Sequence, residues 1–331
     1  MIARLEHFAA THRWIWAALG VLLLWAALVI VTERFSLHSL TGVATSAAFL
    51  LIVALGQMLV VTTGRGNIDL SIPSVVTLSA YVTVIVSGGQ DAALPLTLLC
   101  LVGIGCVTGL VNAFLVVVLR IPAIIATLAS GYALATATLI ANRQVKGMAT
   151  ADTLAALATG RLGGIPVIVL IGVAAAALTA FVLTRTAYGR QLSAVGQSLP
   201  AAWLSGVRVG TTVTIAFVAS ALLASVAGML LSAYAGGAFL EMGSPYLLQS
   251  VGAVVLGGSL IAGGASTAVG TIFGALLLVL VITTMQIAGM PPGTQDIVQG
   301  LVIIAVMAFA GEARGRATPK EFRSGAGRNA P

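Results

Sequence analysis

Charge is what this sequence most lacks: Asp, Glu, Lys and Arg make up 8% of 331 residues, against about a quarter in a soluble domain. With 59% hydrophobic residues, the chain is a polytopic membrane protein. Histidine is nearly absent. The three present, His7, His12 and His38, all precede the second apolar run, so no histidine relay crosses the core. Carboxylates are equally sparse: Glu6, Glu33, Asp91, Asp152, Glu241, Asp296, Glu312 and Glu321 fall in loops, tails or span ends, and only Asp69 is ambiguous. A proton-coupled pump needs an acidic group inside the membrane, so that class is disfavoured. The only lysines, Lys146 and Lys320, follow Val145 and Pro319, which excludes the Gly-Lys pair of a phosphate-binding loop. Any energy must enter from another subunit, and the chain itself needs no cofactor. Cys100 and Cys106 lie six residues apart on different helix faces and read as packing residues, not a disulfide or metal pair. No Ser/His/Asp or metal-ligand constellation is found, which argues against an enzyme.

Glycine, by contrast, is plentiful at 38 residues, and it lets helices pack closely through small-residue contacts. The fold expected is all-α, a membrane helix bundle with about ten transmembrane helices, at 14–32, 42–64, 70–87, 94–119, 121–141, 164–183, 211–235, 246–262, 265–289 and 295–311. The run from Trp14 is too long for a cleaved signal peptide and reads as a first span. An even count puts both termini on one side. With that side cytoplasmic, 12 of the 16 basic residues lie inside and 4 outside, as the positive-inside rule requires. The expected organisation is a cytoplasmic N-terminus at 1–13, a membrane domain at 14–311 and a basic cytoplasmic tail at 312–331. Between 142 and 163 an Ala/Leu segment can lie along the outer surface. Gly105/Gly109 and Gly270/Gly274 form two GxxxG pairs, a weak internal echo that fits either a structural repeat or ordinary helix packing.

Three stretches break the apolar pattern. The first, TGRGNIDLSIPS at 63–74, carries Asn67, Asp69 and Ser71, which cannot sit on lipid-facing irregular backbone and must face protein, water or a cavity. Asp69 precedes a helix expected to open at Leu70, so it either caps that helix or lines a gating break. The second is the loop at 184–210. Tyr188, Leu192, Val195, Leu199 and Ala202 recur at helical spacing, Arg185, Arg190 and Arg208 keep the loop in water, and Gly196 and Pro200 divide it. Ser198 is placed to cap the second piece and Gly206 to close it. It is a basic inner loop or a docking element. The third, at 254–274, carries Gly257-Gly258 and Gly263-Gly264, which make a tight turn or allow helices to shift. Gln57, Asn112, Gln249 and Gln286 are isolated amides that fit interhelical hydrogen bonds or ligand contacts.

Together these stretches resemble the permease subunits of bacterial ATP-binding-cassette importers for simple sugars, the ribose-type family. GNIDLS at 66–71 is similar to that family's Gly-Gly-Ile-Asp-Leu-Ser signature; GRQLSAVGQSLPAAWLSGV at 189–207 to its cytoplasmic loop; VVLGGSLIAGGASTAVGTIFGALL at 254–277, followed by QGLVIIAV at 299–306, to its late paired-glycine segment. Asn67 replaces the signature's second glycine, Pro73 stands where glycine is common, Gln197-Ser198 departs from the loop pattern, and the last segment lacks an asparagine-rich run.

The resemblance implies a permease of the bacterial inner membrane, with both termini cytoplasmic. It implies a homodimer or a pair with a related permease, moving a monosaccharide through a dimer-interface cavity. The partners implied are a cytoplasmic subunit that binds ATP and Mg and a periplasmic sugar-binding protein. The loop at 184–210 becomes the coupling element, with Gly189, Arg190, Ala194, Gly196, Ala201, Ala202, Ser205 and Gly206 as candidate ATPase contacts. Asn67, Asp69, Ser71, Asn112, Gly257 and Gly258 are candidate pathway or gating residues. A branched-chain amino-acid permease and a partner-free facilitator or channel are the rivals. The charge-poor core speaks modestly against a zwitterionic cargo.

Overall fold

The computed structural model describes residues 14–32, 37–145, 147 and 149–315. The expected N-terminal segment 1–13, Arg34, Lys146 and the tail from 316 lie outside the described residues.

Hydrocarbon leaves backbone groups no partners but each other, so the apolar runs fold as helices. The first five are α1 (Trp14–Thr32), α2 (Leu37–Thr62), α3 (Ile72–Ser87), α4 (Leu94–Ala113, prolonged by a π turn, Phe114–Val118) and α5 (Ala123–Asn142). A short surface helix, α6 (Asp152–Thr159), and a small hairpin, β1 (Arg161–Leu162) and β2 (Ile165–Pro166), precede α7 (Val167–Arg185). Then come α8 (Ala187–Gln197), α9 (Leu199–Leu204), α10 (Val209–Ala235), α11 (Tyr246–Leu256), α12 (Ala268–Ile287) and α13 (Pro292–Gly315). Prolines open α3, α4 and α9 from their first turns, and left-handed Gly88 and Gly236 close α3 and α10.

The bundle is polytopic and all-α, and each of the ten expected runs holds a helix. Among the described residues, however, only six helices are long and apolar enough to cross a membrane. Trp14–Ile30, Ile72–Ser87 and Tyr246–Leu256 are shorter. Two departures have clear causes. α3 opens at Ile72, not Leu70, because the polar stretch before it stays irregular. α11 stops at Leu256, since Gly257, left-handed Gly258 and the chain to Thr267 leave the helix. Eleven residues rise about 16 Å, roughly half the hydrocarbon thickness, so 246–262 is not one continuous span.

α2 is the axis of the bundle: its Leu40–Thr62 window is 89% buried, against 28% for Ala123–Asn142 in α5. α10 packs along α2, α3 and α4, while α11 and α12 pack on each other and on α2. Small residues set the crossings. A Cβ on Gly109 would lie 2.4 Å from Val218 Cα of α10, and one on Gly274 would lie 2.0 Å from Ala253 O of α11. Both GxxxG pairs are therefore crossing points.

Loop contacts sort the loops onto two ends. At one, Gly264 N donates to Thr62 O (3.0 Å) and Gln197 Nε2 to Gly264 O (3.3 Å). At the other, Thr153 donates to Asp91 through its amide (3.0 Å) and hydroxyl (2.8 Å), and Tyr81 donates to Asn142 Oδ1 (2.9 Å). Cys100 and Cys106 are free thiols.

Candidate functional site

The irregular stretch between α2 and α3 folds back into the bundle. Gln57, five residues before the end of α2 and hence about 8 Å above it, reaches the Asp69 peptide. Its side-chain carbonyl accepts from Asp69 N (3.3 Å) and its NH2 donates to Asp69 O (3.2 Å), a pairing that fixes the amide orientation. Asp69, 2% exposed, sits at the centre of a hydrogen-bond network. Its Oδ1 accepts from Ser71 N (3.0 Å) and Ser71 Oγ (2.6 Å), and its Oδ2 from Ser220 Oγ of α10 (2.8 Å). Asn112 Nδ2 of α4 donates to Ser71 Oγ (2.8 Å), and Ser130 Oγ of α5 donates to Asn112 Oδ1 (2.5 Å). Leu70 N donates to Thr127 Oγ1 (2.9 Å).

Four helices, α2, α4, α5 and α10, are thus tied to one break. Asp69 does not cap α3: Ser71 is the N-cap and makes no side-chain capping bond. Its carboxylate serves the break itself.

The break separates two cavities. One, of about 290 Å³, is lined by Ser74 and Thr77 of α3, Ala135 and Thr138 of α5, and Glu241 and Ser244 of the loop after α10. Glu241 Oε2 accepts from Ser244 Oγ (2.6 Å). The other, of about 570 Å³, is lined by Thr63, Arg65, Gly66 and Asn67 of the break, Arg120 before α5, Ile124 of α5, and Val195 and Leu199 of the α8–α9 loop. Ile124 and Ala135 stand eleven residues, about 16 Å, apart along α5. Between them Thr127 and Gly131 touch the break. Asp69, Ser71 and Asn112 therefore form a septum, with Asn67 on the larger cavity's side, where its Nδ2 donates to Thr63 Oγ1 (2.9 Å).

Gly257 and Gly258 are not brought to this septum. Gly257 packs on α12, where a Cβ would lie 2.3 Å from Gly270 O, and Gly258 turns at φ 84°. Gln249 is half-buried in α11 and Gln286 exposed on α12.

The glycines of the three polar stretches meet at a joint. A Cβ on Gly196 would lie 2.0 Å from Thr62 O and 2.3 Å from Gly264 N; one on Gly263 would lie 2.2 Å from Gly64 Cα. Thr62 Oγ1 also reaches Ser266 Oγ (2.9 Å). Close backbone packing at Gly196 and the Gln197 side-chain bond to Gly264 O hold the loop of α8 and α9 at the foot of the break.

In that loop the apolar stripe turns inward. Leu192, Val195 and Ala202 are buried, as is Gly189, whose Cβ would meet Leu183 O. Burial raises the Tyr188 phenol above its ordinary pKa. Ser198 caps α9 by accepting from Ala201 N (3.4 Å), and Gly206 follows α9 at φ 79°. Division falls at Ser198, one residue past α8, with Gly196 still helical. Arg190, Ala201, Ser205 and Gly206 face outward, and Ala194 is half-buried. Beside them Trp203 (69%) and Leu204 (78%) are the most exposed large apolar residues of the loop. Sequence reading passed over them because they lie off the apolar stripe. It also passed over Thr127, Ser130 and Ser220, since a hydroxyl on an apolar helix bonds its own turn as readily as a neighbour.

The chain matches, over residues 39–307, the family described as branched-chain amino acid transport system / permease component. Autoinducer 2 import system permease protein LsrC of Enterobacter sp. (strain 638) is 33% identical over 306 residues, 90% of this chain and 86% of that protein. The probable ABC transporter permease protein y4mJ of Sinorhizobium fredii (strain NBRC 101917 / NGR234) is 34% identical over 290 residues, 87% and 86% of the two chains. LsrC of Yersinia pestis (strain Pestoides F) is 33% identical over 303 residues, 90% and 84%. No solved structure matches.

Proposed function

We propose, from the premise that this chain belongs to the permease-component family just described, that it is the membrane subunit of an ATP-binding-cassette importer for a monosaccharide. The observation that carries this is the septum: a hydrogen-bonded break in the bundle, with a cavity toward each end, packed at Gly196 against an exposed loop. Alternating access needs such a divider and a handle on it.

A cytoplasmic ATPase grips Trp203, Leu204 and Ala201 of α9. Its nucleotide cycle pulls Gly196 against Thr62 and Gly264, and the break shifts between its two cavities. ATP and Mg are bound by that partner, and the permease does no covalent chemistry. A periplasmic binding protein delivers cargo at the opposite end. The excess of basic residues supports an orientation with the α8–α9 end and both termini cytoplasmic. The half-exposed faces of α4 and α5, with Leu99, Val107, Ile125 and Tyr132 outward, are where a second copy or a related permease pairs.

A neutral polyol suits the smaller cavity, where Ser74, Thr77, Thr138 and Ser244 offer hydroxyls and, among the described residues, no cation lines the wall. A second cargo, a branched-chain amino acid, is favoured by the family's description and by Glu241, a carboxylate able to pair with an ammonium. Among the described lining residues, however, no cation answers that cargo's own carboxylate. Uptake of labelled ribose, galactose, leucine and autoinducer 2, the cargo in two relatives' names, by the reconstituted complex tests this. Sugar uptake inhibited by unlabelled sugar and not by leucine is expected. Transport of leucine alone overturns the sugar assignment, and uptake undiminished without any ATPase overturns the importer.

A further inference from the structure

We propose that the larger cavity, on the α8–α9 side of the septum, is a binding site for a phosphate group. Among the described non-glycine residues only two have left-handed backbones, Arg65 (φ 60°) and Arg120 (φ 57°), and both line this one cavity. They reach that conformation by unrelated routes. Arg65 lies between left-handed Gly64 and Gly66 in the break. Arg120 ends the π turn after α4, where Leu119 N donates to Phe114 O (3.1 Å) and Ile121 N to Leu115 O (3.0 Å). A helix stop of that kind normally takes glycine. An arginine held there is strained, and strain of this sort gathers at functional sites.

Among the described residues the charges are also unanswered. Neither arginine has an ion pair among the described residues, both are exposed, and Arg208 precedes the lining residues Val209 and Gly210. Of the described carboxylates, Asp69 is spent on Ser71 and Ser220, while Asp91, Asp152, Glu241 and Asp296 belong to the opposite end. The backbone amides of Arg65 and Gly66 donate to no described residue. Guanidiniums and free amides are the donors that a phosphate takes. The remaining wall, with Val116, Val117 and Val213, accepts a carbon body. A neutral cargo has no use for two cations, so passage of a sugar does not account for them.

Two sources can supply the phosphate: a phosphorylated metabolite or the headgroup of an anionic lipid. Because the walls come from both the break and the α8–α9 loop, an occupant links the two and slows ATP-driven uptake.

The test uses the full chain with its ATPase partner in nanodiscs of phosphatidylcholine, read by thermal unfolding. Probes are inorganic phosphate and ribose 5-phosphate, with ribose and chloride as controls. A second arm replaces part of the lipid with phosphatidylglycerol. The double variant R65G/R120G removes both guanidiniums and supplies the residue that a left-handed backbone prefers. Without ligand it is expected to unfold at or above the parent temperature, with its phosphate response lowered at least about tenfold. Stabilisation by the soluble phosphates identifies a metabolite site, and stabilisation by phosphatidylglycerol alone identifies a lipid site. No response in either arm, or one unchanged in the double variant, overturns the proposal. The readout involves no transport, so it fails or succeeds independently of the cargo assignment.

Discussion

Replacing Gly196 by alanine puts one methyl group into the joint between the α8–α9 loop and the break. The new Cβ would lie 2.0 Å from Thr62 O, 2.3 Å from Gly264 N and 2.8 Å from Gly264 Cα. All three are backbone atoms of packed segments, so no side chain can rotate aside. Overpacking of this kind costs about 1–3 kcal/mol. Opening the joint also stretches the Gly264 N to Thr62 O hydrogen bond, a further ~1 kcal/mol. We expect a loss of about 2–4 kcal/mol, concentrated where the loop meets the break. The variant should insert and assemble, and its ATPase should still turn over, while uptake per ATP falls at least about tenfold. Gly163→Ala is the control. Gly163, unlike helical Gly196, has a positive φ, 57°, and nothing lies within 4 Å of its Cβ position, so the methyl brings backbone strain without a clash. Normal coupling in Gly196→Ala, at the parent unfolding temperature, would show that the joint transmits nothing.

Ser220→Ala removes the donor to Asp69 Oδ2 and leaves one carboxylate oxygen without its partner. A loss of about 1.5–3 kcal/mol in unfolding free energy is expected, with Ser220→Thr keeping more than Ser220→Ala. Trp203→Ala should weaken ATPase association by about 2 kcal/mol, roughly 30-fold, in a pull-down titration, with no change in the permease's own melting. Ala201→Glu on the same face should uncouple transport in the same way. Gly109→Leu should lower the melting temperature sharply, because its side chain enters the α4–α10 crossing at Val218 Cα.

Much of this was legible in the sequence because a membrane permits so few backbone arrangements. Apolar runs became helices within a few residues, except where α3 and α11 meet irregular chain. There periodicity says nothing, since Gly257-Gly258 can end a helix or sit inside one. Asp69, Ser71 and Asn112 were marked by polarity alone, and the structure joins them in one network. Their partners Ser220 and Ser130, and Thr127 on the neighbouring Leu70 amide, come from 151 residues away in one case, and no local pattern marks them. The joint was also hidden. The glycines of its three stretches stood out separately, but their contact depends on how distant helices end. The loop's stripe was visible, yet its direction was not: the same spacing that could serve a partner packs Leu192 and Val195 onto the protein's own body.

The central claim is that nucleotide events in a partner move the break between its two cavities. In a background with Cys100 and Cys106 replaced by serine, single cysteines at Asn67, lining the larger cavity, and Ser74, lining the smaller, report each side directly. Their reaction rates with a membrane-impermeant thiol reagent are measured in the assembled importer, nucleotide-free and nucleotide-trapped. Trapping should change the two rates in opposite directions, each by at least about tenfold. Rates that do not change, or that rise and fall together, would contradict a break that alternates between the two cavities.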